Sequence, residues 1–357
     1  MASENKVFSY DDLKLVKNAS AASFGLDRIA ASVQAESALQ EAELNKALED
    51  FCYIETEDQA SWGGGGMIAS TQVDEYGLPL ASKASIGLTA GFPIHTYAQQ
   101  LGFTADAIED MEVSEMATIL LQAREGYFAR VIREMKRSIY GVGNGTTAQY
   151  SFTNKKGVAY NVYGLANGGV TVGTIPDSPS GTAFANTHTH LLAETVVTAA
   201  DVQAMVDTVT EHGNTRGLRI YLNAADKAAF VALTGYTALS SALLNYAGVT
   251  STIVKLDEVD VENQMIGYWT GGVEVWVKSW ACDGYLLCAA TKMPSKVLGM
   301  RVPVSPARRG WHIAGQFKDF PLQAEFAKFS VGFGVFDRTM AAVNYMDSDT
   351  WTAPTIA

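Results

Sequence analysis

The chain has 357 residues, 48% hydrophobic and 18% charged, with 38 acids against 26 bases and a net charge of −12. The length suggests about two domains and supplies a real core, and the low charged fraction with 32 glycines argues against a highly charged disordered chain. The negative balance argues against a sequence-reading nucleic-acid binder, whose phosphate affinity comes from clustered Lys and Arg, but not against a protein that encloses nucleic acid.

The charge is unevenly spread. Residues 1–60 hold 12 acids and 5 bases, while residues 291–340 hold 8 bases and 3 acids. Opposed regions of this kind can attract within the fold or between copies. Three scattered cysteines make no disulfide framework, and no Cys-x-x-Cys pair suggests zinc. The N-terminus lacks the basic-then-apolar pattern of a signal peptide, and no run is apolar for long enough to span a membrane. The expectation is a soluble chain folding in a reducing cytoplasm.

In chain order, residues 26–51 place Ile29, Val33, Leu39, Leu44, Leu48 and Phe51 at roughly helical spacing among Ala, Gln and Glu. This acidic arm must lie on something larger. Trp62 is followed by Gly63, Gly64, Gly65 and Gly66, which suit a hinge or a close backbone approach rather than an element interior. Two extended stretches follow, roughly 67–75 and 84–97, with Tyr76-Gly77-Leu78-Pro79 as a turn between them. Such a hairpin has few large apolar residues and needs a second surface.

Residues 105–140 carry the clearest helical period. Asp106 with Glu109 resembles a capping box, the last turns are basic, and Gly141 ends the helix. At full length it would run ~54 Å. Residues 143–187 are turn-rich, with short β segments at 158–162 and 170–172. Residues 198–290 read as an α/β unit: a helix from Thr198 to Glu211 closed by Gly213, a strand at 218–222, short helices at 224–233 and 237–246, and strands at 252–256, 273–280 and 285–290. The irregular order makes the class α+β. Residues 320–336 alternate in two phases, which predicts a long strand bent or bulged near Lys328 with its second half buried.

Chemical motifs are sparse. His188 and His190 fall on one side of an extended segment, half of a metal site, but no third ligand stands at a suggestive spacing. Glu194 is the nearest carboxylate, and structural histidines with no metal are the expectation. The Gly141-x-Gly143-x-Gly145 run follows a helix, the reverse of dinucleotide-site order, and Gly332-x-Gly334 opens no helix. The carboxylates Asp257, Glu258, Asp260 and Glu262 read as surface. Arg308 and Arg309 beside Trp311 and His312 read as an intermolecular contact or a solvated turn.

The succession of arm, glycine joint, hairpin, long helix and α/β lobe resembles the major capsid proteins of tailed bacteriophages, with the Hong Kong 97-like fold. Ile139 to Gly145 looks like the turn closing that family's spine helix, Asp201 to Gly213 like an axial-domain helix, and Gly332 to Arg338 like the peripheral strand and turn near the C-terminus. The resemblance implies an N-terminal arm at 1–61 and an extended β-hairpin E-loop at 62–103. It implies a peripheral domain at 104–189 and 316–357 with the spine helix at 105–140, and a mixed α/β axial domain at 190–315.

It further implies a structural protein, not an enzyme, that needs no cofactor. Copies would self-assemble as hexamers and pentamers into the icosahedral head shell, in the cytoplasm of the bacterial host, enclosing DNA without reading it. Contacts with portal, decoration and scaffolding proteins come with that role. The arm is too short for the scaffolding segment some relatives carry, so a scaffold is expected as a separate protein or not at all.

The assembly hinge and interface would involve Trp62, Gly63, Gly64, Gly65, Gly66, Tyr76, Gly77, Lys83, Arg308 and Arg309. Lys83 lies where some relatives form isopeptide cross-links, but most relatives do not, and none is expected. The alternatives are an encapsulin-type nanocompartment shell and a metal-dependent enzyme using His188 and His190.

Overall fold

The computed structural model describes residues 10–61, 89–104, 109–141, 149–167, 178–239, 263–319 and 322–356, less isolated positions within 17–47 and at 182 and 186. Two sheets share one apolar core with the long helix. The first contains β1 (Cys52–Glu55), β4 (His95–Thr104), β13 (Leu298–Arg301), β14 (His312–Asp319) and β15 (Leu322–Val335). The second has seven strands in the order β7 (Leu191–Ala193), β16 (Ala341–Tyr345), β12 (Tyr285–Ala290), β8 (Leu218–Leu222), β11 (Val273–Lys278), β10 (Asn263–Trp269) and β9 (Tyr236–Ala238). Two ribbons complete the β structure: β2 (Gln59–Ser61) with β3 (Thr89–Gly91), and β5 (Gln149–Thr153) with β6 (Ala159–Tyr163). The α+β class expected from the sequence holds at this level. Among the described residues no helix is long and apolar enough to cross a membrane.

The N-terminal segment finds its larger surface within the same chain. Helices α1 (Tyr10–Leu15) and α2 (Ala21–Phe24) pack on α3 (Val113–Ile139), and Leu13, Ile29, Leu48 and Phe51 enter the common core. The charge asymmetry is likewise met partly inside the chain, where Arg301 of the basic region pairs with Asp58 of the acidic one.

Helix α3 buries Val113, Met116, Leu120, Tyr127, Val131, Met135 and Ile139 along one face. Tyr127 meets Phe329 of β15 edge-on at 4.7 Å, which seats the helix across the first sheet. Its C-terminus falls where expected, with Lys136 and Arg137 in the last turn and Gly141 at φ +70° beyond it. Its start does not. Glu112 is extended (ψ 150°) and forms a β-bridge with Ser20, and the Val113 amide donates to the Ala19 carbonyl. This backbone pairing takes the place of another helical turn, so the helix spans 27 residues rather than the whole of 105–140. Asp106, half of the expected capping box, lies outside the described residues.

In the second sheet, β8 and β12 match the expected bounds. β12 is buried at every position and central, which a continuous apolar run requires. Helix α4 (Ala199–Thr210) starts at Thr198 with a capping box closed by Asp201, and buries Val202, Met205, Val206 and Val209 against β12 and β16. A short α5 (Lys227–Val231) precedes β9. The expected helix over 237–246 gives way at its start to β9, because Tyr236–Ala238 pairs with β10, a strand the sequence reading missed. The expected strand at 252–256 lies outside the described residues.

Sheet membership crosses the boundaries expected at 190 and 316. β13 joins β1 and β15, whereas β16 fills the gap between β7 and β12. β15 runs unbroken through Lys328. Its register shift sits in the partner strand β14, and β15 pairs with β14 up to Lys328 and with β13 from Gly332. The burial of Phe329, Val331, Phe333 and Val335 is as expected.

Candidate functional site

Two constructions stand out: the root formed by the β2–β3 ribbon on either side of residues 62–88, and a histidine cluster. At the root, Gln59 pairs with Gly91 and Ser61 with Thr89, so the described residues on either side of 62–88 stand side by side in the β2–β3 ribbon. Just after it, Phe92 is fully buried against Tyr53 and Phe336. The Phe92 amide donates to the Asp58 carbonyl at 2.9 Å, and its own carbonyl accepts from Tyr160 Oη at 2.6 Å and Arg301 Nη1 at 2.8 Å. The Arg301 guanidinium pairs with the Asp58 carboxylate, which also accepts from Asn154 Nδ2 at 2.7 Å. Charge-assisted bonds of this kind hold a geometry more firmly than neutral ones.

The close approach is made possible by missing side chains. A Cβ on Gly332 would stand 2.0 Å from the Pro93 carbonyl oxygen, and one on Gly334 would stand 2.3 Å from that of Gly91. Their spacing of two places both on one face of β15. The Gly332-x-Gly334 pattern, set aside as a phosphate loop, therefore marks where backbone lies on backbone.

Beside this root a cleft of about 990 Å³ is lined by Asp58, Lys155, Lys156, Arg301, Arg308 and Lys328 among others. Arg308 is exposed there, in a single 3-10 turn at Pro306–Arg308. Arg309 folds back, its Nε donating to the Pro303 carbonyl at 3.0 Å. The sequence reading did not single out Arg301, Asp58 or Phe92. Trp62, Gly63, Gly64, Gly65, Gly66, Tyr76, Gly77 and Lys83 lie outside the described residues.

The second construction adds a third histidine that sequence spacing did not reveal. His212, just past the end of α4, brings its Nε2 to 3.1 Å from Nε2 of both His188 and His190, which are themselves 3.2 Å apart. Glu211 Oε1 lies 3.2 Å from His188 Nε2. His190 is fully buried, and its Nδ1 lies 2.8 Å from the Ala341 carbonyl of β16. A carbonyl only accepts, so Nδ1 carries the proton and Nε2 presents a lone pair to the cluster. Burial pushes the His190 imidazole well below its ordinary pKa, with His212, His188 and Arg338 adding to the effect against the Ala341 hydrogen bond. Burial also lowers His188, and it raises the Glu211 carboxyl together with nearby Asp207. Phe184 covers the group, its ring 4.6 Å from His188 and 4.2 Å from His212. The three cysteines form no part of it: Cys52 and Cys288 are buried thiols whose pKa burial pushes up, to about 12 for Cys288.

Neither a protein-family model nor a curated protein sequence matches the chain. Among solved structures, a chain of Mycobacterium phage Patience is 19% identical, with 99% of this chain and 96% of that one covered at a TM-score of 0.66. A chain from the capsid of a native GTA particle is 10% identical over 84% of this chain and 90% of its own, with a TM-score of 0.48. A chain of the holo-SrpI encapsulin complex from Synechococcus elongatus PCC 7942 is 10% identical over 87% and 90%, with a TM-score of 0.42. At 19% identity the likeness to the Mycobacterium phage Patience chain is one of fold.

Proposed function

We propose that the chain is the shell-forming subunit of a tailed-phage head, assembling with copies of itself to enclose the DNA genome. The observation that carries this reading is the end-to-end likeness in fold to the phage chain, covering 99% of the residues at a TM-score of 0.66. The same likeness favours a phage head over an encapsulin-type compartment. The histidine cluster does not favour a metal-dependent enzyme, because a buried His190 and the covering Phe184 ring leave little room for a substrate.

In this reading α3 is the spine helix, and the sheet around β12 with α4 forms most of the axial domain. The E-loop, expected at 62–103, is narrowed to 62–88 because 89–91 and 95–104 belong to β3 and β4, and it reaches over a neighbouring subunit from the β2–β3 root. Gly63–Gly66 is the joint that lets one sequence fit hexamers and pentamers, and the rigid Phe92–Arg301 clasp gives that joint a fixed base. Exposed Arg308 at the mouth of the basic cleft contacts an acidic neighbour. Many modest contacts of this kind add up by multivalency. An acidic chain also suits a wall against which packed DNA stays mobile.

Limited proteolysis tests the E-loop assignment. Unassembled chain should be cut first between Trp62 and Ala90, and assembled protein should be protected there. Equal protection in both states would mean that the segment packs on its own body.

A further inference from the structure

We propose that His188, His190, His212 and Glu211 bind one divalent transition-metal ion of the zinc class in a closed, structural site. The inference stands whether or not the chain builds a shell.

The geometry is the first argument. Zinc–imidazole bonds of about 2.0–2.1 Å in a tetrahedron put neighbouring donor atoms roughly 3.3 Å apart. The three Nε2 atoms form a nearly equilateral triangle with sides of 3.1, 3.1 and 3.2 Å, and the carboxylate oxygen stands 3.2 Å from one corner. Three nitrogens and one oxygen suit zinc better than the hard cations.

Hydrogen bonding alone satisfies this triangle poorly. His190 Nε2 can only accept, since its proton is on Nδ1. His188 and His212 can both donate to it, but they then face each other at 3.1 Å with like ends. Alternatively one donates and the other turns a lone pair on its neighbours. A cation takes all three lone pairs at once, with His188 and His212 in the Nδ1–H tautomer. The His190 Nδ1–H to Ala341 bond is the kind of outer contact that fixes a ligating imidazole.

The field at the site is the third argument. The cluster caps the C-terminal end of α4, where the helix dipole is negative and the last turn holds no basic residue. Asp207 and Glu211 add two carboxylates to that end. Arg338 opposes a cation, but its guanidinium is turned to the Gly164 and Leu165 carbonyls. A metal here would strap the end of α4 to the segment before β7 and, through Ala341, to β16. With four protein ligands it keeps no open position for chemistry.

The test uses the full-length chain, loaded with Zn²⁺, dialysed into metal-free buffer and analysed for metal. About one zinc per chain is expected. Replacement by Co²⁺ should give the visible absorption of a tetrahedral cobalt centre, and chelation of the zinc should lower the melting temperature. Glu211→Gln sits on a half-exposed side chain and keeps its shape. It should weaken zinc binding about tenfold or more. His212→Asn should abolish the cobalt spectrum. Folded wild-type chain that retains no zinc overturns the proposal, and so does zinc retained equally by wild type, Glu211→Gln and His212→Asn.

Discussion

Gly332→Ala is expected to destabilise the unassembled chain by about 3 kcal/mol, at the upper end of what overpacking costs. The added methyl would meet the Pro93 carbonyl oxygen at 2.0 Å, its carbon at 2.7 Å and the Ile94 Cα at 3.1 Å. All three are backbone atoms, so no side chain can swing aside. The chain at 93–94 would have to lift from β15, pulling on the hydrogen bonds that Tyr160 and Arg301 make to the Phe92 carbonyl. Gly126→Ala is the control. There the new Cβ meets only the tip of Gln99 at 3.1 Å, whose hydrogen bonds to the Ala123 carbonyl and Trp311 Nε1 it would disturb, while the helix gains about 1 kcal/mol in propensity. The denaturant midpoint of Gly332→Ala should fall well below that of Gly126→Ala. An unchanged midpoint for Gly332→Ala would mean that residues 91–94 do not lie on the sheet.

Arg338→Met should cost a similar amount, roughly 3 kcal/mol, by leaving buried carbonyls without their donors. Arg338 is 5% exposed, and its guanidinium donates to Gly164 O at 3.0 Å and Leu165 O at 3.4 Å while lying over the Tyr163 ring. Its own carbonyl accepts from the Ala166 amide, and the Ala166 carbonyl accepts from His190. The residue therefore pins the 164–166 strand of chain beside the histidine cluster. Methionine keeps most of the apolar stem, so the loss measures the hydrogen bonds rather than the volume. Arg338→Lys keeps the charge without the planar fork and should fall between the two. Thermal unfolding checks the series, and a Met variant as stable as wild type would mean that water replaces the guanidinium.

What the sequence made legible was local. The stop of α3 at Gly141, the helix from Thr198 and the apolar run of β12 each carry their signal within a few residues. What it hid depends on partners far along the chain. Ser20 and Ala19 reach across to end α3 at Glu112, and β10 draws Tyr236–Ala238 into a strand. β16 slots beside β12 although β15, the strand before it in sequence, belongs to the other sheet.

The sites follow the same rule. His188 and His190 were visible as a pair, but His212 joins them only because α4 turns its C-terminal end onto that segment. Arg301 and Asp58 are 243 positions apart in sequence and meet at the root of 62–88. The pattern that could have pointed there was Gly332-x-Gly334, two absent side chains on one face of a buried strand.

Electron microscopy of the purified, concentrated protein tests the central claim most directly. The account predicts closed shells built from hexameric and pentameric units, or such units on the way to shells. Particles that stay monomeric at every concentration and salt condition would contradict it.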